Sequence, residues 1–165
     1  MDTNYTVIDN FLSKDDFEDI KFALTATNVT PWFLGNEIAN MQDLSNLFYL
    51  THKIYDNDTI TSEYYNNIMI PILQKIEYRS LIRIKCNLYP RTERIIEHNA
   101  HTDYPFDHLG ALFFVNTNDG YTTLEDGTKI ESLENRMLFF NPSLQHYSST
   151  CSDQKYRITI NFNYF

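Results

Sequence analysis

His101-Thr102-Asp103 places an imidazole and a carboxylate two positions apart. On a β-strand that spacing puts both side chains on one face. His146, far along the chain, follows a turn signal and is the candidate third ligand. Two histidines and one carboxylate can hold a metal from one side and leave its other coordination positions open to further reactants. Arg157 lies eleven residues beyond His146 with Thr159 two positions on, and Asn87 and Tyr89 share a face of an earlier strand-like stretch.

The elements that must position these residues are readable from spacing. Residues 5–8 read as a short strand. Ser13 is placed to cap a helix over 14–26, with acidic residues at its positive end and Phe17, Ile20, Ala23 and Leu24 at helical spacing. A second helix is expected over 63–76 behind Ser62, bent or broken at Pro71. After Tyr78 the pattern becomes strand-like over 80–89, 108–116, 121–124, 129–130, 137–140, 146–151 and 156–165. Asp126-Gly127 and Asn141-Pro142-Ser143 mark turns. The expected fold class is α+β, mainly β: one domain over 1–165, with helical support at about 10–78 and a barrel or sandwich at about 79–165.

Composition narrows the options. At 165 residues with 42% hydrophobic and 15% aromatic content, the chain can bury a moderate core and is not a disordered sequence. A net charge of −9 makes nucleic acid an unfavoured partner. Arg79, Arg83, Lys85, Arg91 and Arg94 form a local basic cluster that reads as a solvated strand edge. Cys86 and Cys151 form no CxxC pair, which argues against a zinc-thiolate site and for a reducing cytoplasm. Neither a signal-peptide pattern nor an apolar run of membrane-spanning length is expected.

The order of these features resembles the 2-oxoglutarate- and Fe(II)-dependent oxygenase superfamily, particularly its small prolyl-hydroxylase-like group. The matching stretches are Asn87-Leu88-Tyr89-Pro90, His101-Thr102-Asp103, Gly120-Tyr121-Thr122-Thr123-Leu124, Phe140, His146 and Arg157-Ile158-Thr159, over roughly 80–165. The resemblance implies a double-stranded β-helix, or jelly-roll, with Fe(II) held by His101, Asp103 and His146 in its mouth. It implies that 2-oxoglutarate is the co-substrate, that O₂ is consumed, and that succinate and CO₂ leave as a substrate is hydroxylated. By the same likeness Arg157 holds the distal carboxylate of 2-oxoglutarate, with Tyr89, Asn87 and Thr159 as further co-substrate contacts. A guanidinium suits that task because its planar fork makes bidentate bonds. Two departures stand out: many prolyl hydroxylases carry lysine where Arg157 falls, and the usual double glycine is Gly120-Tyr121 here.

Other readings remain open from the residues alone. His98, His101 and His108 form a competing ligand set. The same fold could be a non-catalytic binding module with a structural or vestigial metal site. A cupin-like or zinc enzyme is a third possibility, although the sequence has no His-x-His. His52 reads as a surface residue. Substrate contacts are expected from Trp32, Phe33, Tyr104, Phe106 and residues 40–57. Tyr104-Pro105-Phe106 is expected to form a wall beside the metal. The expected partner is a small molecule or peptide.

Overall fold

A computed structural model describes residues 5–35 and 47–165. Its elements run β1 (Tyr5–Ile8), α1 (Lys14–Thr25), β2 (Phe33–Gly35), β3 (Tyr49–Asp56), β4 (Thr59–Ile60), α2 (Tyr64–Asn67), α3 (Ile70–Leu73), β5 (Leu81–Pro90), β6 (Leu109–Phe114), β7 (Tyr121–Thr123), β8 (Lys129–Glu131), β9 (Arg136–Phe140) and β10 (Tyr156–Tyr164). The main sheet has the order β1-β9-β6-β10-β5-β3-β2, with β4 paired to β3. Its strand pairs are antiparallel.

A second, smaller layer faces it. β7 pairs with β8. Single bridges Thr123↔Tyr147, Glu97↔Ser149 and His101↔His146 extend that ladder. From β5 onward the chain alternates between the two layers, which is jelly-roll winding. The segment at 146–151, expected as a strand, is present as these bridges rather than as a continuous ladder.

The helices form where local chemistry favours them. The Ser13 hydroxyl accepts from the Asp16 N–H at 3.3 Å and caps α1. The expected helix at 63–76 is split into α2 and α3. Pro71 lies in the first turn of α3, where its missing N–H breaks no helical bond. Strands β2–β4 were not expected. Asn57 and Asp58, both at positive φ, make the two-residue turn between β3 and β4. The amino-terminal part therefore supplies strands as well as helices: β1 pairs with β9, and β3 pairs with β5.

Strand alternation creates two interiors. The outward residues of β10 (Ile158, Ile160, Phe162 and Tyr164) join Ile84, Cys86 and Phe113 in a core shared with Phe17, Ile20, Ala23 and Leu24 of α1. Inside the roll, Leu112, Phe114, Leu138 and Phe140 pack with Leu124 and Ile130 into a second apolar cluster. The inward faces of β5 and β10 are polar instead: Arg83, Lys85, Asn87 and Tyr89 on one, Arg157, Thr159, Asn161 and Asn163 on the other.

Phe113 ties the helix layer to the sheet. It is fully buried, with ring centroids 6.4 Å from Phe11 and 6.2 Å from Phe17. Phe113→Ala should cost about 3–5 kcal/mol in urea unfolding. Phe22→Ala, at a residue 66% exposed, should change stability by no more than about 0.5 kcal/mol. Equal losses in the two variants would refute this account of the core.

Candidate active site

His101 and His146 are brought together by one antiparallel bridge. The N–H of His101 donates to the His146 carbonyl at 3.1 Å, and the return bond is 3.0 Å. Directly opposed residues share a face, and the two ring centroids lie 4.4 Å apart. Asp103 follows on the same segment, its N–H donating to the Pro142 carbonyl at 3.0 Å. Ligating atoms of His101, Asp103 and His146 fall within 4.8 Å of one another. No other such group of three or more His, Cys, Asp or Glu residues occurs among the described residues.

The donor chemistry of this trio fits a divalent cation. His146 Nδ1 lies 3.0 Å from the Leu144 carbonyl, which can only accept, so Nδ1 carries a hydrogen and Nε2 is the ring nitrogen left for a cation. Burial, with neighbouring His146, pushes the His101 pKa down to about 4, so its ring is neutral at pH 7. Burial opposes the Asp103 charge. Arg83, His146, Asn163 and Asn161 outweigh it and hold the carboxyl well below the usual carboxylate range. Asp103 Oδ2 accepts from Asn161 Nδ2 at 3.0 Å and Asn163 Nδ2 at 2.8 Å. Oδ1 accepts from Arg83 Nη2 at 3.2 Å. Each oxygen has two lone pairs, so Oδ1 retains the free one.

The trio opens on a cavity of about 270 Å³, which Arg157 also lines. Arg157 is fully buried. Its Nε donates to Ser132 Oγ at 2.7 Å, Nη2 to Thr122 Oγ1 at 2.8 Å, and Nη1 to the Ser149 carbonyl at 3.4 Å. Its guanidinium carbon lies 5.5 Å from the Tyr89 ring centroid and 5.7 Å from that of Phe114. No carboxylate among the described residues pairs with it. Burial lowers its pKa to about 10, still far above neutrality, so it remains a buried cation. A Cβ on Gly120 would lie 2.8 Å from Arg157 Cδ and 2.6 Å from the Thr150 carbonyl oxygen. The first position of the Gly120-Tyr121 pair must therefore be glycine, whereas Tyr121 meets no such demand.

The other candidate co-substrate contacts line the same cavity. Tyr89 is the β5 partner of Arg157, and Asn87 that of Thr159. The buried Asn87 Oδ1 has no hydrogen-bond partner among the described residues. Sequence reasoning missed Asn161 and Asn163, which orient Asp103, and Ser132 and Thr122, which orient Arg157. A signal for the two asparagines existed: from Arg157 to Tyr164, polar and apolar residues alternate strictly.

Three expectations need correction: those on Arg83 and Lys85, on His52 and on the alternative histidine set. Arg83 and Lys85 do not lie on a solvated strand edge. β5 runs between β10 and β3, and both side chains line the cavity. Burial, followed by the nearby Arg83 charge, lowers the Lys85 pKa to about 8. His52 is buried, its Nδ1 2.9 Å from the Pro31 carbonyl and its Nε2 2.8 Å from Ser62 Oγ. The His98/His101/His108 set does not assemble. His98 Nδ1 bonds Ser148 Oγ at 2.8 Å, and His108 Nδ1 lies 2.9 Å from the Phe106 carbonyl. Among the expected substrate contacts, Trp32 packs against the core and Phe33 is exposed on β2. Tyr104 lies beneath the Arg83 guanidinium at 5.1 Å, and Phe106 stacks on Phe165. Residues 40–46 lie outside the described residues, and 49–56 form β3.

Gly120→Ala should lower stability by about 1–3 kcal/mol, because a backbone oxygen and a pinned side chain must both move. Chemical denaturation tests this, and an unchanged midpoint would remove the packing argument.

No family model matches the chain, and no curated protein matches it in sequence. Solved structures do match in fold. A collagen prolyl hydroxylase from Paramecium Bursaria Chlorella virus-1 is 14% identical, covers 98% of this chain and 96% of its own, and has a TM-score of 0.62. A 2OG-Fe(II) oxygenase-family oxidoreductase from Burkholderia pseudomallei is 12% identical, with coverage of 99% and 86% and a TM-score of 0.70. A non-heme alpha ketoglutarate dependent epimerase from nogalamycin biosynthesis is 12% identical, with coverage of 98% and 78% and a TM-score of 0.68. The chain has the prolyl-hydroxylase-like jelly-roll fold of 2-oxoglutarate/Fe(II) oxygenases.

Proposed function

We propose that this chain is an Fe(II)- and 2-oxoglutarate-dependent dioxygenase that hydroxylates a peptidyl or small-molecule substrate and releases succinate and CO₂. One observation carries the reading: Arg157, buried and without a carboxylate partner among the described residues, shares a cavity with the His101/Asp103/His146 trio. An uncompensated buried cation is strongly unfavourable, so this geometry calls for a bound anion.

A ring nitrogen of His101, His146 Nε2 and Asp103 Oδ1 would hold Fe(II). Bound iron supplies the redox chemistry that couples 2-oxoglutarate breakdown to substrate hydroxylation. Of the five guanidinium N–H groups of Arg157, three are engaged by Ser132, Thr122 and Ser149. The remaining two suit the distal carboxylate of 2-oxoglutarate. Tyr89 and Phe114 fix the guanidinium plane, and Asn87 and Thr159 supply polar groups one rung along. The three structural relatives span a prolyl hydroxylase and an epimerase, so the fold accommodates different substrates. The buried, unpaired Cys86 and Cys151 are in keeping with a cytoplasmic location.

Protein loaded anaerobically with Fe(II) and given 2-oxoglutarate and O₂ should form succinate above a His101→Ala control. Arg157→Met should weaken 2-oxoglutarate binding, measured by calorimetry with Mn(II), by roughly ten- to a hundredfold. Iron-loaded protein that makes no succinate above the control would instead be a binding module.

A further inference from the structure

We propose that the cavity contains a second anion subsite, formed by Arg83 and Lys85, and that the substrate presents a carboxylate to it. This inference rests on the oxygenase reading and names the substrate class for the same site.

The charge balance of the cavity is opposite to that of the protein. The chain has 22 acidic and 13 basic residues, yet Arg83, Lys85 and Arg157 line the cavity against a single acid, Asp103. Arg157 is assigned to the co-substrate. Lys85 bonds neither the metal trio nor Arg157 among the described residues, and Arg83 touches the trio only through Asp103 Oδ1.

Their placement separates them from Arg157. In the β5/β10 pair, Tyr89 stands opposite Arg157, Lys85 opposite Asn161, and Arg83 opposite Asn163. Four residues of strand, about 13 Å, separate the Arg157 rung from that of Lys85. Asp103 is bonded at the Asn161 and Asn163 rungs, so the metal trio lies toward the Arg83/Lys85 end. A co-substrate anchored at Arg157 leaves that end for another ligand.

Both cations lie against tyrosine rings, and only Arg83 has an acidic partner among the described residues. The Arg83 guanidinium lies 5.1 Å from the Tyr104 ring centroid, and Lys85 Nζ lies 5.7 Å from that of Tyr49. Tyr49 in turn stacks on Tyr89 at 5.8 Å. Lys85 forms no ion pair among the described residues. Lys53, also on β3, is already paired with Asp56 at 2.7 Å. Arg83 has one acidic partner, Asp103 Oδ1 at 3.2 Å, and its buried Nε has no acceptor among the described residues. Oδ1 is also the oxygen with a free lone pair for the metal. A cation held by Asp103 Oδ1 would compete with the one ion pair that Arg83 has, and Arg83 and Lys85 line the same cavity.

Size and charge select a carboxylate. The cavity, about 270 Å³, lies at the small end of the roughly 300–1,000 Å³ range for ligand sites. The net charge of −9 disfavours approach of polyanions. A compact group bearing one carboxylate meets both conditions.

The test uses the full chain with Mn(II) and N-oxalylglycine, an inert 2-oxoglutarate analogue. N-acetyl-aspartyl methylamide and its asparaginyl counterpart serve as probes of nearly equal shape that differ by one charge. Manganese-induced NMR line broadening reports binding of each probe. The wild type should bind the acidic probe roughly ten- to a hundredfold more tightly than the amide, and Lys85→Met should abolish most of that preference. Equal binding of the two probes by wild type overturns the proposal, whether or not the variant folds. So does a Lys85→Met protein that loses N-oxalylglycine rather than the acidic probe, or tighter wild-type binding of inorganic phosphate than of the acidic probe. Failure of the wild type to bind Mn(II) and N-oxalylglycine removes the oxygenase reading itself. Normal binding of both without acidic preference removes only the subsite.

Discussion

The buried guanidinium of Arg157 is the constraint to which the cavity conforms. Taking a cation out of water is costly, and hydrogen bonds to two hydroxyls and a carbonyl recover only part of that cost. The surroundings hold the charge in place without cancelling it. Ser132 and Thr122 fix two of its nitrogens, Tyr89 and Phe114 cover it, and Gly120 leaves room for its stem. A hydrophobic residue in its place would relieve the protein of that burden. Retaining the charge has a physical rationale only if an anion completes it.

The same strands that carry this burden also hold the fold together. β10 presents Ile158, Ile160, Phe162 and Tyr164 to the helices and Arg157, Thr159, Asn161 and Asn163 to the cavity. Period-two geometry keeps the two functions on opposite faces. Stability comes from the outer core and from the apolar cluster of β6 and β9 within the roll. The β5/β10 half of the interior is therefore free to remain polar. The metal-ligand candidates lie on irregular segments, but a bridge and the Asp103–Pro142 bond attach those segments to one another.

Legibility in the sequence followed the range of the forces involved. His101 and Asp103 are readable as a His-x-Asp pair, although the pair lies on an isolated bridge and a bend rather than on a strand. α1 was readable from Ser13 and its apolar period, and the split at Pro71 follows from proline geometry. The neighbours of β5 were not readable. Without β3, β5 reads as an edge, and Arg83 and Lys85 read as solvated. Once β3 pairs with β5, the same alternation turns them inward. His52 reads as exposed for the same reason, because its partners Pro31 and Ser62 flank β2 and β4. Contacts such as Asn163 with Asp103 join residues 60 positions apart, and no local pattern encodes them.

Asp103 links the two ends of the cavity electrostatically. One oxygen is saturated by Asn161 and Asn163, so its orientation is fixed before any ion arrives. The other is bonded to Arg83, which keeps a buried carboxylate from standing unpaired. A dication at that oxygen would take over this compensating role and repel the guanidinium. Arg83 then remains between the Tyr104 ring and a positive centre, where an anionic substrate group is the natural replacement partner. This end of the pocket carries two cations, Arg83 and Lys85, against one acid, Asp103, and a bound dication would add to that positive excess.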